Sequence, residues 1–266
     1  MALRVAKERG VLYFSTALYS ASMPSDLFTK WLQPLSGPDS GIAIYGERKG
    51  ARATGLQAVK KLIGDHFVGE TVILRAGGYA KAAAIIANSL PSNKRTQSGD
   101  LGELLATEYV NSETSFVVPI NKLRWKSDRE MAMHGNDIVA VERSGKIVRV
   151  LKGECKSRAS FGKNVVDEAV ESLDKHDGRP NPSTLAFITK RLYEEERDDE
   201  AEVFRDLQTA AAIPARSITH MIFALSGNDP SMHLRTVPKP KRSGITREAA
   251  AIVVSDHGEF ITKVFT

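Results

Sequence analysis

HGNDIVAVERSGKIVRVLKGECK, residues 134–156, has the pattern of a β-hairpin that carries ionisable groups at one end. The runs 137–141 and 147–151 are rich in β-branched residues, which favour strands. Between them, Arg143–Lys146 contains Ser and Gly and is typical of a turn. The sequence therefore predicts two antiparallel strands closed by this turn.

Three ionisable side chains of this stretch are expected to converge. Side chains alternate along a strand, so Glu154 and Lys156 project to one side and Cys155 to the other. When the strands pair around the turn with a small bulge or splay, Asp137 near the start of the first lies close to Glu154 near the end of the second. The sequence thus predicts two carboxylates and one amine in a single cluster.

Such a cluster has the chemistry of a metal-dependent hydrolase. Mg²⁺ takes oxygen ligands, usually one or two carboxylates with waters and substrate phosphate, and Mn²⁺ is its expected substitute. A lysine beside metal-bound water positions or deprotonates that water, which suggests phosphodiester hydrolysis. The alternative is that Lys152, Glu154 and Lys156 form the solvated face of an amphipathic strand. Asp137, seventeen positions before Glu154 across the hairpin, favours the site.

Composition sets limits on the class of protein. The chain has 266 residues, 42% of them hydrophobic, which is enough to bury a core in one large domain or two small ones. One cysteine allows neither an internal disulfide nor a cysteine-based zinc site, and the six histidines show no metal-ligand spacing. No apolar run is long enough to span a bilayer, and the first residues lack the pattern of a secretion signal. We therefore expect a cytoplasmic protein.

Charge is distributed unevenly along the chain. The formal net charge is +5 and the pI is near 9.2, which permits a polyanionic partner without requiring one. Residues 120–163 hold eleven Lys or Arg against five Asp or Glu, whereas residues 190–206 hold four against eight. Basic charge therefore surrounds the carboxylates, as binding to a phosphate backbone requires. An uneven but solvated surface is the alternative.

Residues 1–95 alternate short apolar runs with helical patterns, which predicts an N-terminal α/β region that contacts a partner or DNA. Strands are expected at 11–18, 42–45 and 70–74, and helices at 52–63 and 79–90. The polar stretch 91–99 is the best domain boundary, so a second unit is expected over residues 96–266.

Glu103 belongs to a helix predicted over residues 100–109, in the first turn of that helix. Asp100, three residues before it, fits the N-cap of a capping box, which gives Glu103 a structural explanation. The alternative is a role beside the hairpin carboxylates. A strand at 116–120 is expected to follow the helix.

The basic and aromatic segment Lys122–Lys126 comes next and is suited to lie along nucleic acid. Trp125 is equally consistent with a place in the core. His134 contacts phosphate or supports Asp137 in one interpretation, but we favour a buried structural histidine. The candidates for contact with nucleic acid are Lys122, Arg124, Lys126, His134, Arg158 and Lys163.

The remainder of the chain is also predicted to alternate helices with strands. Helices are expected at 163–176 and 192–212, strands at 185–189 and 217–225, and a closing hairpin at 250–255 and 259–265. Pro238–Arg242 is expected to be an exposed basic loop with polyproline character.

The order of these elements resembles that of the PD-(D/E)XK nuclease superfamily: a helix carboxylate, then a metal-binding Asp on a strand, then E-x-K on the next strand. The motifs stand here as Leu101–Glu103, His134–Asp137 and Glu154–Lys156. Over residues 98–158, the segments SGDLGELLATEYV, LRWKSDREMAMHGNDIVAV and GECKSR more specifically resemble the HamA family, the nuclease subunits of the bacterial Hachiman anti-phage system.

This resemblance implies an α/β fold with a mixed central sheet flanked by helices, and a DNase activity. Asp137 and Glu154 would hold Mg²⁺, Lys156 would serve the attacking water, and Glu103 would direct a second metal or a bound water. The partner would be the HamB helicase, in a heterodimer that holds the nuclease in check until phage replication disturbs DNA. Asn136 departs from the pattern, because a second acid is expected there and Asn keeps an oxygen but loses the charge.

A second class of function stays open from the sequence. The chain is then a non-catalytic DNA-binding or helicase-binding module with a degenerate nuclease fold, whose basic surface binds and cuts nothing. Metal-dependent products in a DNA-nicking assay distinguish the two classes.

Overall fold

The structure, a computed structural model, describes residues 26–35, 42–142, 148–209 and 213–266. Within these ranges, seven strands form one sheet. The strands are β1 (Leu32–Pro34), β2 (Ile42–Glu47), β3 (Phe116–Val117), β4 (Ile138–Glu142), β5 (Val150–Arg158), β6 (Ile218–Ser226) and β7 (Thr246–Val253).

The sheet is mixed, with the order β1-β2-β7-β6-β5-β4-β3. β2, β7, β6 and β5 are parallel neighbours, whereas β1, β4 and β3 pair antiparallel to the strand beside them. Pairing of β4 with β5 runs from Ile138 opposite Gly153 to Val141 opposite Val150. The predicted antiparallel pairing is thereby confirmed, although β5 begins at Val150 rather than at residue 147, and the predicted turn at Arg143–Lys146 lies outside the described residues.

Helices cover both faces of the sheet, which confirms the expected α/β fold. They are α1 (Arg52–Phe67), α2 (Glu70–Arg75), α3 (Tyr79–Ser89), α4 (Lys94–Glu113), α5 (Lys163–Asp174), α6 (Pro182–Glu194), α7 (Asp198–Thr209), α8 (Ser231–Arg235) and α9 (His257–Phe265). α1, α4 and α9 pack on one face, and α5 to α8 pack on the other. In the part of the chain that the structure describes, none of them combines the length and apolar content needed to cross a bilayer.

Two predicted strands are helices in the structure. Residues 70–74 form most of α2, and residues 185–189 lie inside α6. In α6, Leu185, Ile188 and Leu192 are buried together, and their spacing of three and four residues places them on one helical face. A run of five apolar residues is compatible with both a strand and a buried helix. The spacing of buried residues over the longer segment decides between them.

The predicted closing hairpin is also wrong. Its first half belongs to β7, but its second half is α9. Phe260, Ile261 and Val264 are buried on one side of this helix, and Phe260 stacks on Trp31 with ring centroids 5.2 Å apart. The helix thus closes the core that the predicted second strand would have left open.

The division of the chain at residues 95 and 96 stays a prediction, although the sheet extends across it. β1 and β2 precede this point, and β2 pairs with β7 from Ile42 opposite Ala249 to Gly46 opposite Val253. The connector expected at 91–99 is already helical from Lys94, where α4 begins. The strand predicted at 11–18 lies outside the described residues.

Two helical glycines are expected to respond oppositely to substitution by alanine. A Cβ on Gly55 of α1 would overlap the indole ring of Trp31, whereas a Cβ on Gly99 of α4 would meet no atom within 4 Å. We expect Gly55→Ala to lower the free energy of unfolding by about 1–3 kcal/mol through overpacking. Gly99→Ala should raise it by about 0.5–1 kcal/mol because alanine restricts the unfolded chain. Urea denaturation of both variants measures the two changes, and equal signs would contradict the packing described here.

Candidate active site

The candidate site lies where β5 extends beyond the end of β4. Pairing between the two strands stops at Ile138 opposite Gly153, so residues 154–158 present an edge that no described strand covers. The backbone N–H of Cys155 donates a 2.8 Å hydrogen bond to Asp137 Oδ2 across this edge. The Asp137 carboxylate thus satisfies a strand N–H and is held beside Glu154.

Glu154 is fixed by contacts at both of its carboxylate oxygens. Lys156 Nζ donates to Oε1 at 2.9 Å, so the two side chains share a face of β5 and touch. Ser172 of α5 donates its hydroxyl to Oε2 at 2.8 Å. Glu154 is only 7% exposed, and its orientation therefore depends on both the strand and the helix above it.

Glu103 reaches the same region from α4 on the other side of the sheet. That helix begins at Lys94 with Asn93 as its N-cap, so the predicted cap at Asp100 is wrong and Glu103 lies well beyond the first turn. Within the described residues, the Glu103 carboxylate makes no hydrogen bond or ion pair. Together with Asp137 and Lys122 it lines a narrow cavity with about 10 Å³ of room for a water centre.

The two acids of this cavity are destabilised as anions. Burial raises the pKa of Glu103, and the charge of Asp137 adds to the rise while Lys122 opposes it. Burial also raises the pKa of Asp137, and the charge of Glu154 adds to that rise, again against Lys122. Carboxylates in this situation are stabilised by any additional positive charge, whether a proton or a bound cation.

Lys156 is held in its charged form. Burial alone would lower the pKa of its ammonium, but the charge and hydrogen bond of Glu154 outweigh burial, and the pKa is raised. The side chain is therefore a charged hydrogen-bond donor at neutral pH rather than a free base.

Asn136 has a structural role at the position where a second acid was expected. Its side-chain oxygen accepts a 2.7 Å hydrogen bond from the backbone N–H of Asn181. The backbone N–H of Asn136 donates to Thr184 Oγ1 at 3.0 Å. Both partners belong to the start of α6. Asn136 therefore fixes the entry to β4 against that helix, and Asp137 contributes the carboxylate.

Three of the predicted nucleic-acid contacts are committed to partners inside the fold. Lys122 is 8% exposed and donates to the carbonyl oxygen of Asn136. Lys126 pairs with Asp100 at 2.8 Å, with both side chains 5% exposed. Arg124 Nη2 donates to the backbone oxygen of Asp65 at 2.9 Å. These groups bind the segment to the body of the protein, and their contact with DNA stays a prediction.

Trp125 also contacts the body of the protein, because the Arg191 guanidinium lies over its ring at 4.2 Å. The indole is thus stacked within the protein, as its alternative interpretation required.

The other three candidates face solvent. His134 is exposed, so its interpretation as a buried structural histidine is wrong. Arg158 lies 3.8 Å from the Glu168 carboxylate, and Lys163 pairs with Asp167 at 2.6 Å. All three remain available to an external phosphate.

Sequence reasoning missed Ser172 and gave Lys152 only a place on a solvated strand face. Lys152 is fully buried, and its Nζ donates to the carbonyl oxygens of Leu173 at 2.7 Å and Lys175 at 2.9 Å. It thereby anchors the end of α5, the helix that carries Ser172. Strand alternation placed Lys152 on the face of Glu154, but a serine on an amphipathic helix carries no recognisable signal.

The donor set fits Mg²⁺ without forming a complete cage. Within the described ranges, no three His, Cys, Asp or Glu side chains are grouped closely enough to hold a metal by themselves. Mg²⁺ is usually bound through one or two carboxylates, with waters and substrate phosphate as its other ligands. Asp137 and Glu154 supply that number of hard oxygen donors. Burial raises the pKa of Cys155, which disfavours a thiolate ligand.

Comparison with known proteins identifies a family whose model covers the part of the chain that holds the candidate site. A family model described as HamA matches residues 54–266. A protein of Bacillus cereus described as Hachiman protein HamA is 32% identical to the chain over 136 residues. That alignment covers 51% of this chain and 48% of the relative, so it spans about half the length of the relative.

Proposed function

The chain belongs to the HamA family, and on that premise we propose that it is a Mg²⁺-dependent DNA nuclease of bacterial anti-phage defence. The observation that carries this proposal is the cluster at the open edge of β5. Asp137 is bound to the N–H of Cys155 at 2.8 Å, and Lys156 is bound to Glu154 at 2.9 Å. Two carboxylates and a charged amine in this arrangement are suited to phosphodiester hydrolysis.

The roles of the residues follow from their contacts. Asp137 and Glu154 would hold the cation, which polarises the phosphodiester and lowers the pKa of water when bound. The Lys156 ammonium donates hydrogen bonds toward the attacking water and the developing charge on phosphate. Glu103 orients a water in the cavity that it shares with Asp137. Ser172 keeps the Glu154 carboxylate aligned with the strand.

The proposed partner is the HamB helicase, because the related protein carries the name of the Hachiman system. In this proposal the two chains form a heterodimer in the cytoplasm, and the helicase restrains cutting until phage replication disturbs DNA. Unregulated cutting would damage host DNA, so we expect low activity for the isolated chain and a dependence on the partner for efficient cutting, once the partner releases its restraint.

A Mg²⁺ titration of plasmid cleavage tests the proposal. The chain should be assayed alone and with the proposed HamB helicase, and product should appear with Mg²⁺ or Mn²⁺ and disappear with EDTA. The competing function, a binding module that does not cut, is favoured by one observation: both Glu154 oxygens already have partners within the protein. DNA binding without metal-dependent product under either condition would support the module and reject the nuclease.

A further inference from the structure

Three loops pack together at the edge of the sheet where β5, β6 and β7 begin. Residues 175–179 follow α5, residues 214–217 precede β6, and residues 238–245 precede β7. The first and third loops are joined by an ion pair between Arg242 and Asp177. The second and third touch where Gly244, at a φ of 92°, lies against Ala215 and the backbone of Arg216.

Four cations stand exposed on these loops, and we name them the cationic platform: Lys175, Arg216, Lys239 and Lys241. Within the part of the chain that the structure describes, none of the four forms an ion pair with a carboxylate. The acids beside them are already used, since Asp177 pairs with Arg242 and Asp174 pairs with Arg247 at 2.6 Å. The platform therefore presents positive charge that the fold does not neutralise.

The platform is held in place before any partner arrives. Arg247 Nη1 donates to the carbonyl oxygen of Pro238 at 2.8 Å, which ties the third loop to β7. Pro238 and Pro240 fix two φ angles around Lys239. His220 Nε2 lies 2.7 Å from the carbonyl oxygen of Gly178, which ties the first loop to β6. A surface ordered in this way loses less entropy on binding.

The platform also adjoins the candidate site through α5. Ser172 touches Glu154, and three residues later the backbone carbonyl of Lys175 accepts a hydrogen bond from Lys152. The same buried lysine therefore anchors the helix that aligns Glu154 and the loop that begins the platform.

We propose that the cationic platform binds the phosphate backbone of duplex DNA next to the cleavage site. This inference rests on the proposed function and names the surface that tracks its substrate. The platform differs from the predicted contacts Lys122, Arg124 and Lys126, because those three side chains already have partners inside the fold. Backbone contacts of this kind carry no base specificity, so the bound DNA is selected by charge and shape.

Binding without cleavage tests the proposal. Fluorescence anisotropy of a labelled DNA duplex is measured in EDTA over a range of NaCl concentrations, with the full chain. We expect the triple variant Lys175→Ala, Lys239→Ala, Lys241→Ala to raise Kd about tenfold or more. The slope of log K against log salt should become shallower by roughly 2–3, since each lost phosphate contact removes about 0.9.

A matched control removes the same charge elsewhere. Lys190→Ala, Arg205→Ala, Lys263→Ala changes three exposed cations on α6, α7 and α9, and we expect it to leave both Kd and slope near the values of the unsubstituted chain. Circular dichroism verifies that both variants fold. An unchanged slope in the platform variant, or equal losses in both variants, would overturn the proposal, as would an absence of DNA binding by the unsubstituted chain.

The nuclease proposal and the platform proposal can fail independently, and the two failures give different results. If the chain binds DNA through the platform in EDTA but yields no product with Mg²⁺ and the helicase, the platform proposal stands and the nuclease proposal is rejected. If the platform variant cuts DNA with the efficiency and salt dependence of the unsubstituted chain, the nuclease proposal stands and the platform proposal is rejected. DNA binding by the unsubstituted chain that does not weaken as NaCl is raised would also count against the proposal, because contacts to phosphate depend on salt.

Discussion

Replacing Glu154 with glutamine is expected to lower the rate of Mg²⁺-dependent DNA cleavage by about 10²–10³-fold. Glutamine keeps the size of the side chain and still accepts the hydrogen bond that Ser172 now donates to Oε2. It removes the negative charge that faces Lys156 and adjoins Asp137. The variant thus loses a ligand for the cation while it retains the packing of α5 on β5. Single-turnover cleavage of a labelled duplex, with the helicase present and Mg²⁺ fixed, measures the loss.

The matched control for this variant is Glu171→Gln. Glu171 is exposed on α5, next to Ser172, so the same chemical change occurs beside the site without touching it. We expect its cleavage rate to equal that of the unsubstituted chain. Thermal unfolding of both variants excludes a general loss of fold. If folded Glu154→Gln cleaves DNA at the unsubstituted rate, Glu154 is not part of the catalytic cluster.

The hairpin and its carboxylate pair were predictable because both follow from local rules. Alternation along a strand fixes the shared side of Glu154 and Lys156. Pairing that ends at Ile138 opposite Gly153 places the next residue, Asp137, level with Glu154. A position in sequence therefore translated directly into a position in space.

The third carboxylate was harder to interpret from its sequence. Asp100 and Glu103 carry the spacing of a capping box, yet the helix begins at Lys94, where Asn93 accepts the hydrogen bond of the first turn. Both capping signals are satisfactory in isolation, and the fold selects one of them because Glu130 supports the chain at Ser92 and Asn93. That support comes from a loop that no local pattern connects to the helix.

The basic residues near the hairpin could not be assigned from a count of charges. Whether a cation faces solvent depends on residues that are distant in sequence: Lys126 meets Asp100, 26 positions away, and Arg124 meets Asp65, 59 positions away. The count correctly located positive charge in residues 120–163, but the fold uses much of it internally. The unpaired cations of the platform come instead from three loops that only the sheet brings together.

Replacing Lys126 with methionine is expected to lower the free energy of unfolding by about 3–5 kcal/mol at pH 8, because it leaves a buried charge without its partner. Lys126 and Asp100 are 2.8 Å apart and each 5% exposed. Burial raises the pKa of Asp100 to about 6 from its ordinary 3.8, even though Lys126 opposes the rise. Removal of Lys126 raises that pKa further. Urea denaturation of the variant and the unsubstituted chain measures the difference.

The sign of the pH dependence follows from the raised pKa of Asp100. A carboxyl whose pKa is higher in the folded state favours folding while it is protonated, and this contribution is lost as pH rises through the interval from about 4 to 6 and above. The deficit of Lys126→Met should therefore be largest at pH 8 and shrink at pH 5, where Asp100 becomes neutral. Adding Asp100→Asn should restore part of the stability at pH 8, while Lys163→Met, which breaks an exposed pair with Asp167, should change little. Equal deficits at pH 5 and pH 8 would show that lost packing, rather than an unpaired charge, causes the destabilisation.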